Sequence, residues 1–190
     1  SDDGGISWSS TGLTNEVTQR VYFRRIDAHP DRPSVILAVS NRGIYRTIDE
    51  FSTFTKVKNG HFKDLEFKPD DPDIIYAAEY CYAGNPAIFR STDAGISWEN
   101  ISSETDIEGN VNRIELAVTP DNPSTIYALA SDVKSDGFYA LYKSENSGSS
   151  WSKVYSKSDK NLLGWSIRGE GSTGQGWYDL SLAVAPDDKD

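Results

Sequence analysis

One eight-residue segment recurs along this chain and constrains its fold more than any other feature. Its pattern is Ser-x-Asp-x-Gly-x-x-Trp, which occurs in full at 1–8 and 91–98, with Asn for Asp at 144–151, and in a decayed form at 47–54. The copies begin roughly 45 to 55 residues apart, a period that indicates one structural unit per copy. The sequence therefore predicts a protein built from repeats.

A second motif, a proline turn, alternates with the first. It is complete at 29–33, 68–72 and 119–123 and partial at 185–188. Proline fixes φ and Asp or Asn bonds to its own backbone, so these stretches predict tight turns. Alternating residues before each turn and an apolar run after it predict two strands. A third strand precedes each eight-residue segment and a fourth follows it, so each period holds four strands.

The positions shared by the copies of the eight-residue segment suit a hairpin turn. An Asp at position three accepts backbone N–H groups, a Gly at position five adopts positive φ, and an aromatic ring at position eight packs on a neighbouring strand. Phe51 replaces the glycine in the decayed copy, so we expect that turn to differ in shape. We predict structural rather than catalytic roles for Asp3, Gly5, Trp8, Asp49, Phe54, Asp93, Gly95, Trp98, Asn146, Gly148 and Trp151.

The predicted fold is all-β: a partial β-propeller of four-stranded antiparallel blades joined by these hairpin turns. We place complete repeats at 20–60, 61–110 and 111–159, with 1–19 ending a preceding blade. Residues 160–190 are predicted as a loop followed by the first strand of a further blade. A closed propeller needs more blades, so we expect a piece of a longer protein that self-associates through open blade edges if it is stable alone.

Composition excludes several kinds of partner. The formal net charge of −10 disfavours nucleic acid and anionic membranes, and no apolar run is long enough to span a membrane. Cys81 is the lone cysteine, so it forms no internal disulfide, and His29 and His61 have no partner at ligand spacing. We therefore predict neither a metal site nor a cofactor.

The repeat resembles the Asp-box, or BNR-repeat, propellers, and the resemblance covers essentially the whole chain. The combination of proline turn, apolar strand and Asp box looks most like the xyloglucanase-type and sortilin-type members. The stretch Gln175-Gly176-Trp177-Tyr178-Asp179-Leu180 also looks like secreted Bacteroidetes surface proteins. This resemblance implies an extracellular or cell-surface location.

We expect any binding site on the face that carries the second-to-third and fourth-to-first loops, because these vary in length. Two tryptophans, a tyrosine and mixed charges in 161–180 suit a sugar or peptide surface, although Trp177 and Tyr178 also suit packing between blades. The candidate ligand-binding residues are Trp165, Arg168, Glu170, Gln175, Trp177, Tyr178, Tyr80 and Tyr82.

A glycoside hydrolase requires two carboxyl groups. The resemblance to xyloglucanase-type enzymes makes Asp179 the candidate catalytic acid. No second acid is evident, because the equivalent strand positions hold Phe23, Phe62 and Arg113. A sialidase is disfavoured because its Arg-Ile-Pro segment is missing and because the acidic chain disfavours an anionic substrate.

The sequence thus predicts a ligand-binding or scaffold module of a secreted or surface protein that recognises carbohydrate or protein. The alternative is a fragment of a xyloglucanase-like glycoside hydrolase, and a further alternative is a sortilin-like peptide receptor.

Overall fold

The computed structural model describes residues 1, 3–13, 20–102, 107, 110–156 and 160–188. Within them, twelve β-strands form three sheets of four antiparallel strands, each in simple up-and-down order. Blade 1 contains β1 (Phe23–His29), β2 (Arg32–Ser40), β3 (Gly43–Thr47) and β4 (Thr55–Asn59). Blade 2 contains β5 (Phe62–Phe67), β6 (Ile75–Glu79), β7 (Ile88–Ser91) and β8 (Glu99–Asn100). Blade 3 contains β9 (Val111–Val118), β10 (Ile126–Asp132), β11 (Phe138–Ser144) and β12 (Ser152–Ser156).

The blades pack face to face, and the core lies between them. Alternation along β2 places Leu37 and Val39 against blade 2, whereas Ala38 faces the other way, towards Leu13 and Phe51. The core between blades 2 and 3 is closed by side chains from both sheets, including the fully buried Tyr76 and Tyr142. The first strands lie side by side, β1 against β5 and β5 against β9, so they converge on a common axis.

The eight-residue segments form four turns of one geometry, which we call the box turns (1–8, 47–54, 91–98 and 144–151). In each, the hydroxyl at position one accepts the N–H of position five, and Oδ1 at position three accepts the N–H of position seven, at 2.8–3.0 Å. Asn146 replaces Asp without loss because an amide oxygen accepts the same N–H group.

The turn at 47–54 does not differ in shape, so that prediction is wrong. Glu50 and Phe51 have φ of 59° and 63°, matching Ala94 and Gly95 at 56° and 81°. A phenylalanine in this left-handed region is strained. Its side chain is 3% exposed in a cluster with Leu13, so burial offsets the strain.

The aromatic residues at position eight are not equivalent. Trp98 and Trp151 pack into the cores between blades 1 and 2 and between blades 2 and 3, and Phe54 packs against Tyr45. Trp8, in contrast to the prediction, is 80% exposed, because the described residues around it form no sheet on which it could pack.

The ends of the described chain contain no strand. The segment 160–190 is predicted to end in the first strand of a further blade; its last described residues, 177–188, contain turns and irregular backbone but no strand, and residues 189–190 lie outside the described part. In every blade the first strand is the edge of its sheet and pairs along its length with the second strand, and the described residues offer this segment no second strand. Self-association through the outer strands β4, β8 and β12 stays a prediction. In the described part of the chain, no helix has the length and apolar character needed to cross a membrane.

Candidate funnel site

A pocket of about 300 Å³ opens at the end of the molecule where β1, β5 and β9 begin, and we call it the funnel. This end of the strands is the one reached by the fourth-to-first loops, the face on which the sequence analysis expected a site. The pocket is lined by Arg24, Arg25, Lys63, Asp64, Arg113, Glu115, Trp177 and Tyr178.

Register places three charged residues at one level of this pocket. Arg25, Asp64 and Glu115 pair with Val39, Ala78 and Leu129, the same position in each second strand. Just before this level, β1 and β5 each shift register by one residue, at Arg24 and at Lys63. Such bulges re-aim a side chain, and both residues line the pocket.

Asp64 joins the three blades at the floor of the pocket. Its Oδ1 accepts a hydrogen bond from Arg25 Nη1 at 2.8 Å, and its Oδ2 accepts the Leu116 N–H at 2.6 Å. Arg25 also pairs with Glu66 at 2.6 Å and with Asp27 at 2.5 Å. Since Asp64 is 1% exposed, these partners are what allows its carboxylate to be buried.

Arg113 fixes the segment 176–180, which forms one wall of the pocket. Its Nη2 donates to Glu115 at 2.8 Å and to the carbonyl of Leu180 at 3.1 Å, and its Nη1 donates to the carbonyl of Gly176 at 3.4 Å. Lys63 Nζ donates to the carbonyl of Trp177. The wall is therefore anchored through its backbone, which leaves the rings of Trp177 and Tyr178 46% and 48% exposed.

Aromatic side chains surround Lys63. Its Nζ lies 3.6 Å from the centroid of the Tyr80 ring and 6.0 Å from that of Trp177. The ring of Tyr80 is buried and meets Tyr82 edge to face at 4.6 Å. A cation over an aromatic face is stabilised by the ring quadrupole, so this lysine is held in one place.

Burial shifts several ionisations in the funnel. It lowers the pKa of Lys63 to about 8, with Arg113 and Arg24 acting in the same direction. Burial and then the nearby Asp64 raise the pKa of Glu66 to about 7, although Arg25 opposes this. The pKa of Glu115 is raised by the same two causes, against Arg113. Burial thus moves the pKa of Lys63 and the pKa values of Glu66 and Glu115 towards neutral pH from opposite sides.

The structure brings together part of the predicted binding set. Trp177 and Tyr178 line the pocket, and Gln175 Oε1 accepts the Tyr178 hydroxyl at 2.6 Å. Tyr80 lies beside Lys63, and Tyr82 packs against Tyr80. A separate lobe at 161–174 holds the remaining predicted residues, Trp165, Arg168 and Glu170, exposed and outside the pocket lining.

Asn161 organises this lobe. Its Nδ2 donates to the carbonyls of Gly171 and Thr173, and its Oδ1 accepts the Phe138 N–H at 2.7 Å. The lobe therefore folds against the loop before β11, and its exposed side chains lie elsewhere than the pocket.

Asp179, the predicted catalytic acid, lies in a turn rather than at the start of a strand. Its N–H donates to the carbonyl of Gln175 at 2.8 Å, and its side chain is exposed and outside the pocket lining. The acids that face the funnel are Asp64 and Glu115, which sequence reasoning missed. It compared Phe23, Phe62 and Arg113, whereas the acids come two residues after Phe62 and after Arg113 on the same strands. The bulge at Lys63 interrupts the alternation of β5, so a simple period of two does not show that Asp64 faces the funnel.

The described residues contain no group of three His, Cys, Asp or Glu side chains able to hold a metal ion. Cys81 is a free, half-buried thiol.

No protein-family model matches the sequence, and neither does any curated protein. Among solved structures, an ancestral GH74 enzyme aligns with a TM-score of 0.61 at 19% identity, over 72% of this chain and 19% of that one. The GH74 enzyme of Niastella koreensis aligns with a TM-score of 0.58 at 20% identity, over 78% of this chain and 25% of that one. The fold is a partial β-propeller.

YCF48 from Cyanidioschyzon merolae also aligns, with a TM-score of 0.49 at 22% identity, over 73% of this chain and 38% of that one. The chain thus spans from about a fifth to about two fifths of the length of these proteins. The propeller architecture predicted from the repeats is confirmed.

Proposed function

We propose that this chain is a ligand-binding part of an Asp-box β-propeller that takes a carbohydrate at the mouth of the funnel. The observation that carries the proposal is the half-exposed pair of Trp177 and Tyr178 rings, which forms one wall of the 300 Å³ pocket. Aromatic faces bind the C–H faces of sugars, while fixed charges on the floor orient polar groups. A pocket of this volume suits one or two sugar rings better than a long polymer.

The rigidity of the site supports binding. Arg113 and Lys63 hold the wall through backbone carbonyls, so the rings are ordered before a ligand arrives. Preorganisation reduces the entropy cost of association. The four box turns, with their shared hydrogen bonds, support the Asp-box assignment. A carbohydrate ligand fits an extracellular or cell-surface location, which we propose with it.

Binding to a panel of soluble oligosaccharides, measured by calorimetry, tests this function. We expect Trp177→Ala to weaken binding of the best ligand at least about tenfold, as loss of an aromatic anchor does. Trp165→Ala is the matched control, since Trp165 is exposed but outside the pocket. Equal affinities of the two variants, or binding of peptides but of no glycan, would overturn the proposal.

A glycoside hydrolase fragment is the second candidate. It is favoured by Glu115, which lines the pocket with a raised pKa, because a glycosidase needs a carboxyl that stays protonated near neutral pH. The GH74 enzymes share the fold with this chain over about a fifth to a quarter of their own length. Release of reducing ends that is abolished in Glu115→Gln and retained in Asp179→Asn would support this candidate, with Glu115 rather than Asp179 as the acid.

A further inference from the structure

The charges that line the funnel pocket do not balance. Four cations and two carboxylates line it. Arg25 is engaged by Asp64, Glu66 and Asp27, and Arg113 by Glu115. Within the described residues, the two remaining cations, Arg24 and Lys63, form no ion pair with a carboxylate.

Arg24 and Lys63 occupy equivalent places in neighbouring blades. Each is the residue at which its first strand shifts register, and each lines the pocket. Lys63 has lost much of its hydration and rests on Tyr80, with Trp177 providing a carbonyl rather than a counter-charge. A desolvated cation without a counter-ion attracts an anionic group more strongly than a hydrated surface lysine does.

A second cation nearby has spare hydrogen-bonding capacity. Arg113 is 7% exposed and lines the pocket, and its buried Nε finds no partner among the described residues. Buried polar groups are normally satisfied, so an orphaned guanidinium nitrogen at a pocket wall calls for an acceptor.

The local charge opposes that of the whole chain. The formal net charge is −10, which led the sequence analysis to disfavour an anionic substrate. The overall negative charge of the chain repels anions at long range. Surplus positive charge confined to one pocket therefore indicates recognition of one defined anionic group.

We propose that the pocket binds an acidic sugar, a uronic acid residue whose carboxylate lies between Arg24 and Lys63 and whose ring packs on Trp177. A uronate presents an apolar ring face and a carboxylate in a single residue, which matches an exposed indole beside two uncompensated cations. This inference deepens the proposed carbohydrate site and rests on it.

The test compares trigalacturonate with its methyl ester by calorimetry, using the 190-residue chain. Esterification removes the charge and keeps the sugar ring, so the pair isolates the carboxylate. We expect the acid to bind at least about tenfold more tightly than the ester, and Lys63→Gln and Arg24→Gln each to remove most of that preference. Lys63→Arg should retain it, and Arg42→Gln, an exposed site outside the pocket, should leave it unchanged.

Thermal unfolding of each variant establishes that it is folded before its affinity is compared. Equal binding of acid and ester would overturn the uronate inference and leave the carbohydrate site standing. Binding of neither, together with no other glycan, would remove both. Binding of poly-glutamate as tight as that of trigalacturonate, and insensitive to Trp177→Ala, would replace the sugar with an acidic peptide.

Discussion

Arg46 of blade 1 donates a hydrogen bond from Nε to the carbonyl oxygen of Ala94, in the box turn of blade 2, at 2.8 Å. The same link joins the next two blades, where Arg90 Nη1 donates to the carbonyl of Ser147 at 3.0 Å. Each arginine directly precedes the box turn of its own blade, and each acceptor is position four of the next box turn. The link therefore joins neighbouring blades at both junctions of the three described blades.

Removing either arginine should weaken the contact between blades. We expect Arg46→Ala and Arg90→Ala each to lower the free energy of unfolding by about 1 to 2 kcal/mol, because each substitution removes a charged hydrogen-bond donor from a backbone carbonyl. Urea denaturation measures the loss, with Arg42→Ala on the exposed surface as the control. A loss no greater than that of the control would mean that the link contributes nothing.

Asp64 should matter more for stability than any exposed acid. Asp64→Ala leaves the Leu116 N–H and Arg25 without their shared acceptor in a buried position, so we expect a loss of about 3 kcal/mol or more. Asp187→Ala, in an exposed turn, should change the unfolding free energy by less than about 0.5 kcal/mol. Comparable losses in the two variants would contradict the role of Asp64 as the link between blades.

Phe51 permits a test of backbone strain. Glycine adopts positive φ without cost, so Phe51→Gly should be less destabilising than Phe51→Ala by about 1 kcal/mol, although it removes more side chain. Phe89 lies in regular strand β7, where the order should reverse and alanine should be the better replacement. If alanine is better at both positions, Phe51 is not strained.

The contribution of Glu66 to stability should fall as the pH rises from 4.5 to 7. The ordinary pKa of Glu66 is 4.5 and the folded protein raises it to about 7, so across this window the unfolded chain has lost a proton that the folded chain keeps. Glu66→Gln should flatten the profile measured by denaturation at several pH values, with exposed Glu170→Gln as the control. An unchanged slope in Glu66→Gln would show that this carboxyl does not keep its proton on folding.

Uronate binding should weaken as the pH rises through 8. Lys63 has a pKa lowered to about 8 by burial and by Arg113 and Arg24, against the attraction of Glu115 and Asp136, so its charge is lost above that pH. Lys63→Arg stays charged and should bind trigalacturonate equally at pH 7 and pH 9. A decline of the same size in both proteins would assign the titration to another group.

Most of the fold could be predicted from the sequence because its signals are local. Proline turns, alternation and the eight-residue segment are short-range features, and the three sheets lie within the repeats drawn from them. The shape of the turn at 47–54 was not predicted, because the strain of Phe51 at positive φ is offset by burial. The cluster that buries it includes Leu13, which is distant in sequence.

Less of the site could be predicted, because it depends on how blades pack. Asp64 and Glu115 look like ordinary exposed charges of alternating strands until β5 and β9 converge on one axis. Nearness in sequence can also mislead, as Trp165 and Trp177 show. Asn161 holds the lobe that contains Trp165 away from the pocket, whereas Arg113 holds Trp177 in the pocket wall.

The link between Arg46 and Ala94 also affects how such an array changes in evolution. Its acceptor is a backbone oxygen, so position four of the box turn accepts the bond equally well as Ala94 and as Ser147. A repeat that is duplicated or exchanged therefore meets its neighbour without any compensating mutation on the accepting side. The contact between blades does not depend on the side chain of the accepting residue, so the residues of the funnel can change in one blade without a change in the next.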